Sequence, residues 1–246
     1  GCALPLDAVE RHARLGEHLP HRFEEDPGDD VRHAGECTRV QRWLSKRCRP
    51  TIVAGMGVRL AAPAKVNLHL AVLDRRADGF HDLVSLFQAV DLADVLHLER
   101  TGSEGPVSVR GMPGLPPESN LVTRAIELFR RRAGVTEGVD AAIDKRIPMG
   151  AGFGGGSSDA AAALRGCQAL YGSPLDEDAL DDCALSLGSD VTFFLRGAAA
   201  VVGGRGERVS AVEPRLDFAI VAATPRERVS TAEAFAWLDA DRTAGR

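Results

Sequence analysis

The sequence predicts an α+β fold, with most of its strands early and its helices later. Strand-like segments follow one another between residues 58 and 109, Asp78-Gly79 marks a hairpin among them, and three helical segments fill most of residues 121–187. Val58-Arg59-Leu60-Ala61 leads into Ala62 to Leu73, where apolar and polar residues alternate from Val66 to Leu70. After the turn Arg75 to Gly79, Val84 to Val90 and Asp94 to Glu99 read as two further strands. Val107 to Val109 is a short one, and Gly111 to Pro117 is a proline-rich loop. Ser119-Asn120 caps a helix over Leu121 to Arg132, whose apolar residues recur at helical spacing. Its closing arginines, Arg130 to Arg132, lie where the helix dipole favours cations. Val139 to Asp144 is a strand that delivers Lys145 and a glycine-rich loop. The helix after that loop runs through Ala160 to Arg165 to Tyr171, with Gly172 as its stop. A third helix covers Asp176 to Leu187 and ends at Gly188. Phe193 to Leu195 and Ala198 to Val202 read as buried segments before the turn Gly203 to Glu207. Phe218 to Ala223 is expected to be a strand, and Thr231 to Leu238 opens a last helix.

The loop Pro148-Met149-Gly150-Ala151-Gly152-Phe153-Gly154-Gly155-Gly156-Ser157-Ser158-Asp159 is the most informative stretch. Five glycines between Gly150 and Gly156 permit repeated positive φ angles. A loop of this kind feeding a helix N-terminus aims unpaired N–H groups at one point, where the helix dipole also favours negative charge. It reads as a phosphate cradle. A Walker loop is excluded because no lysine follows Gly156. The spacing Gly150-x-Gly152-x-x-Gly155 matches a dinucleotide fingerprint, but the required strand context is missing. The HRD and DFG signatures of protein kinases are absent as well.

Composition narrows the class. The chain has 246 residues, 44% hydrophobic and 26% charged, with a formal net charge of −5 that argues against general nucleic-acid binding. No apolar run reaches the roughly 18 residues needed to cross a bilayer. The N-terminus lacks the charged and apolar regions of a signal peptide. Five cysteines without CxxC spacing point to reduced thiols and a cytoplasmic setting. Arginine is the default cation, since Lys46, Lys65 and Lys145 are the only lysines, so Lys65 and Lys145 attract notice. Residues 1–56 differ from the rest: they carry four of the seven histidines, an acidic Glu24 to Asp30 stretch and no zinc-ligand spacing. They are expected to be an atypical N-terminal extension, disordered or not native, with one short helix at most over Asp7 to Leu19 and Met56 close to the true start.

Four stretches in order, Pro63 to Leu68, Arg75 to His81, Ile143 to Gly152 and Leu187 to Val191, resemble the GHMP kinases, a superfamily of small-molecule kinases. The resemblance covers about residues 58–239. It implies a ribosomal-protein-S5-domain-2-like ATP-binding domain over 57–214 and, over 215–246, the incomplete start of a ferredoxin-like C-terminal domain. It implies ATP and Mg2+ as cofactors and a small-molecule substrate, a cytidine diphosphate-linked methylerythritol. No nucleic-acid or membrane partner is expected, and the chain is expected to be a monomer or weak homodimer. Homoserine kinase shares the loop but does not account for Arg75 to His81.

The resemblance also assigns residues. Asp190 faces the acceptor hydroxyl as general base, with Lys65 as its catalytic partner. Asn120 and Lys145 flank the adenine side of ATP; Pro148, Met149, Gly150, Ala151, Gly152, Phe153, Gly154, Gly155, Gly156, Ser157 and Ser158 bind its phosphates. Asn67, Phe80, His81 and Thr231 contact the substrate, Phe80 replacing a tyrosine so that ring stacking survives and the hydroxyl does not. No protein metal ligand is assigned, although Ser158 or Asp159 lies where bound magnesium would approach. A third family motif, a glycine loop that backs the phosphate site, is not found before Arg246, so weak or absent turnover is expected, with a nucleotide-binding fragment as the alternative.

Overall fold

A computed structural model describes residues 48–53, 57–213, 218–225 and 229–245. Met56 and the segment Asp7 to Leu19 lie outside the described residues. The strands are β1 (Thr51–Val53), β2 (Gly57–Arg75), β3 (His81–Glu104), β4 (Val107–Arg110), β5 (Glu137–Asp144), β6 (Ala199–Gly204) and β7 (Arg208–Ala211). The helices are α1 (Leu121–Ala133), α2 (Gly155–Leu170), α3 (Glu177–Leu187), α4 (Ser189–Arg196) and α5 (Thr231–Thr243). β1 falls inside the stretch that composition sets apart, and it pairs antiparallel with the start of β2.

The two segments expected as separate strands at 84–90 and 94–99 form one continuous strand, β3. Its 24 residues let it serve two partners on the edge away from β2. Residues Val95–Glu104 pair with β5, and Leu83–Gln88 pair with β6. The short β4 runs parallel to β5, and the remaining pairings are antiparallel. Nothing in the polar residues Asp91 and Asp94 breaks the strand, because pairing with β2 continues across both sides of them. The β2–β3 register shifts between Pro63 and Lys65, the kind of irregularity that re-aims side chains.

Helices α1 to α4 supply the other layer, with α2 packed on β2 and β3. Small residues let α2 come close: Ala160, Ala161, Ala162 and Ala163 are buried, and a Cβ on Gly166 would stand 2.3 Å from Leu98 Cδ1. Phe129, Ile126 and Val122 of α1 complete this core with Leu60, Leu96 and Leu98. Capping follows the sequence. Asn120 Oδ1 accepts from Val122 N at 2.9 Å, and Gly134 ends α1 at φ +66°. Cys48, Cys167 and Cys183 are free thiols.

Phe193 and Phe194 are buried as expected, from the helix α4, where Phe193 packs edge-on against Phe87. One expectation is corrected. Phe218 to Ala223 is not a strand; among the described residues it has no strand partner, and Val221 is 92% exposed. An apolar run becomes a strand only where a neighbouring edge satisfies its backbone. The last helix is present and longer than expected, opened by a capping box between Ser230 and Glu233.

Candidate active site

The glycine loop joins the end of β5 to the N-terminus of α2. Gly150, Gly152 and Gly154 hold φ angles of +69°, +78° and +70°, which side chains resist. Gly154 has a second reason to be glycine: an added Cβ would sit 2.9 Å from Phe194 Cε2 and 3.3 Å from Lys65 Cγ. The loop encloses a pocket of about 210 Å³, lined by Met112, Lys145, Ile147 and residues 148–156. Backbone N–H groups of the first turn of α2 face the loop side, and no acidic residue occupies that turn.

Lys65 stands next to the loop. Its backbone N–H donates to Phe153 O at 2.9 Å, outside the β2–β3 ladder, and the residue is only 7% exposed. The ammonium donates to Asn67 Oδ1 at 2.9 Å, lies 4.5 Å from the Phe87 ring centroid, and stands 3.9 Å from Asp190 Oδ2. Asp190 is in the first turn of α4, and about a third of its side chain is exposed. Burial raises the Asp190 pKa above the usual carboxylate range, with the Lys65 charge opposing. Burial lowers the Lys65 pKa, with Asp190 opposing. Sequence separates these two residues widely; β2 and α4 bring them together.

Lys145 is not a solvated strand-end lysine. Its ammonium donates to Asp94 Oδ2 and, at 2.7 Å, to Asp159 Oδ2. Burial disfavours its charge, but the two carboxylates more than offset this and raise its pKa. Asp159 is buried, and desolvation pushes its pKa up to about 7 despite Lys145. Asp94 was not singled out by sequence reasoning. Its only signal is an acid between the apolar residues Leu92-Ala93 and Val95-Leu96. The Asn120 side chain is spent on capping α1. Ser157 is half-buried, whereas Ser158 is buried with no partner at its Oγ; Asp159 Oδ1 is also unpaired.

Of the expected substrate residues, Asn67, Phe80 and His81 lie along the β2–β3 hairpin and Thr231 on α5. Asn67 is exposed and bonded to Lys65. Phe80 is 56% exposed, with the Arg205 guanidinium 5.0 Å from its ring centroid. His81 is buried: Phe235 stacks on its ring at 5.0 Å, and its Nε2 is 2.7 Å from Asp239 Oδ1. The Phe80-His81 pair is therefore divided, with only the phenylalanine open to a ligand. Thr231 opens α5 and helps line a second pocket of about 620 Å³ between loop residues 149–153 and residues 223–225 and 229–231. Among the described residues no group of three or more His, Cys, Asp or Glu side chains is arranged to hold a metal, and no helix is long and apolar enough to cross a membrane.

Residues 120–198 match the family described as GHMP kinases N terminal domain. The chain is 46% identical over 184 residues to the 4-diphosphocytidyl-2-C-methyl-D-erythritol kinase of Pseudomonas paraeruginosa, covering 73% of this chain and 64% of that protein. It is 49% identical over 176 residues to the protein of the same name in Burkholderia mallei, covering 71% of this chain and 59% of the other. Thus the chain spans less than two thirds of the length of these relatives. A crystal structure of 4-(cytidine 5'-diphospho)-2C-methyl-D-erythritol kinase superposes with a TM-score of 0.56 at 45% identity, over 63% of this chain and 55% of that one. Homoserine kinase from Cytophaga hutchinsonii, 19% identical with a TM-score of 0.52 over 76% of this chain and 61% of that one, shares the fold. The match, the fold and the glycine loop agree: residues 120–198 belong to the GHMP kinase N-terminal domain family.

Proposed function

We propose that this chain transfers a phosphoryl group from ATP to the 2-hydroxyl of 4-diphosphocytidyl-2-C-methyl-D-erythritol, in isoprenoid precursor synthesis. One observation carries the reading: Lys65 touches the glycine loop through its backbone and Asp190 through its ammonium. Donor and acceptor machinery therefore share one residue. The names of the relatives support the choice of substrate.

In this reading the loop from Pro148 to Gly156 and the hydroxyls of Ser157 and Ser158 receive the phosphates, with Lys145 and Asn120 bounding the nucleotide side. Magnesium arrives as part of the substrate, MgATP. Ser158 Oγ and Asp159 Oδ1 are unpartnered oxygens beside the loop, the hard donor type that magnesium takes. Asp190 accepts the proton of the acceptor hydroxyl as the new oxygen–phosphorus bond forms and the bond to ADP breaks. Its raised pKa suits a base near neutrality. Lys65 holds positive charge next to the reacting oxygens; in a loose phosphoryl-transfer transition state, positioning and charge contribute most. Asn67, Phe80 and Thr231 would meet the substrate, with Phe80 offering the open ring for a pyrimidine, and His81 would join them only once Phe235 leaves its ring.

A second reading is a fragment that binds ATP without turnover. It is favoured by uncovered apolar side chains, Phe218 at 56%, Val221 at 92% and Trp237 at 58% exposure. Measuring ADP formation with the cytidine diphosphate substrate, alongside ATP binding by calorimetry, tests both. Turnover supports the kinase reading, binding alone supports the fragment, and neither removes both.

A further inference from the structure

We propose that the buried Asp94–Lys145–Asp159 cluster positions the glycine loop for the nucleotide, with Asp94 as its positioning residue. This rests on the phosphate-loop reading above. Asp94 lies on β3, far from the loop in sequence, and is fully buried. Its two oxygens do different jobs. Oδ1 accepts from the N–H groups of Arg146, at 2.5 Å, and Ile147, at 2.8 Å, the residues by which the chain leaves β5 for the loop. Oδ2 takes the Lys145 ammonium, which also reaches Asp159 Oδ2 near the start of α2. One nitrogen thereby ties a sheet strand, the loop entry and the helix at the loop exit.

The loop needs such a tie. Its glycines give it many accessible conformations, and each must be lost before several N–H groups can converge on a phosphate. The Lys145 ammonium also stands 3.3 Å from where a Cβ of Gly155 would be, so the cluster reaches the inner wall of the loop pocket. A buried ion pair is a weak source of stability compared with apolar packing, and its better-attested use is to fix a register. Here two carboxylates surround one ammonium, a balance poorly suited to stability alone and well suited to holding three backbone segments in one arrangement.

The test uses the whole chain with Asp94→Asn and Lys145→Met. Asparagine keeps an acceptor for the two N–H groups but loses the charge facing Lys145; methionine keeps the stem and loses the ammonium. Amide hydrogen exchange of the ligand-free protein is expected to speed up tenfold or more at Arg146, Ile147 and the first turn of α2, with β2 and β5 unchanged. Affinity for ATP, titrated per folded molecule, is expected to fall about tenfold in each variant and no further in the double variant. Unchanged exchange at the loop overturns the proposal. So does a lower melting temperature with ATP affinity intact, which is what a merely structural role gives. Should either variant not fold, the milder Asp159→Asn carries the same two measurements. A wild-type chain that binds no ATP refutes the kinase reading; exchange then decides the positioning role by itself.

Discussion

The two ends of the β2–β3 ribbon are built differently. At the loop end both lysines are held several times over: Lys65 by Phe153, Asn67, Phe87 and Asp190, and Lys145 by Asp94 and Asp159. At the hairpin end Leu68, Leu70, Leu73, Phe80 and Val84 are all exposed, and α5 is attached mainly through polar contacts. These are His81 to Asp239, and Arg242 to the carbonyls of Val72, at 2.5 Å, and Leu73, at 2.8 Å. Phosphoryl transfer needs fixed charges, and the first end supplies them from the core. Choosing a substrate needs a surface that can open, and the second end has low local packing.

The largest effect should come from the charge pair at the fixed end. Asp190→Ala is expected to lower the transfer rate by about 10²–10⁴ at saturating ATP while ATP binding persists. In the wild type the rate should rise with pH as Asp190 ionises, through a pKa above the usual carboxylate range, and fall again as Lys65 deprotonates below the ordinary lysine value. Lys65→Met removes the charge that opposes the shift at Asp190, so the acid limb should move to higher pH. A rate unchanged in Asp190→Ala would remove this residue from the chemistry.

Gly154→Ala is the next largest. The new Cβ meets the Phe194 ring at 2.9 Å while the backbone stays at φ +70°. Left-handed strain and overpacking together should cost about 2 kcal/mol or more, read as a lower melting temperature. Gly152→Ala has the same strain but nothing within 4 Å, so it should cost less. Equal losses in the two would refute the steric part of this account.

Asp159 gives a pH test of stability. Its folded pKa near 7 exceeds its unfolded value, so the native state binds more protons, and stability falls as pH rises from about 4 to about 7. Lys145, raised further by its carboxylates, stays charged throughout that window. Asp159→Asn should therefore flatten the dependence and gain on the wild type as pH rises. Parallel melting curves of the two proteins from pH 5 to 8 would contradict it.

The fixed end was also the more legible in sequence. Asn120 and Gly172 mark helix ends by local chemistry, the glycine loop stands out by its spacing, and the resemblance pointed to Lys65 and Asp190, which the fold brings to 3.9 Å of each other. What sequence did not show was pairing across distance. Asp94 looked like the start of a strand, because its hydrogen-bond partners Lys145, Arg146 and Ile147 are 51 to 53 residues away. The helix Ser189–Arg196 was hidden because Gly188 both ends α3 and begins α4. Phe218 to Ala223 has strand composition, but composition cannot supply the neighbouring edge. Nothing local foretold that Phe235 and Asp239, on a helix far along the chain, would pack on His81.

The smallest expected effect lies at the loose end. Arg242→Ala removes two bonds from α5 to the β2 backbone on an exposed surface, a cost of about 1 kcal/mol to docking. Global melting should barely move, since the main core lies elsewhere. Limited proteolysis between residues 229 and 245 should quicken, and the His81 ring should become accessible to chemical modification as Phe235 departs. If instead the whole protein melts earlier and His81 stays protected, α5 belongs to the rigid core, and the contrast between the two ends of the ribbon fails.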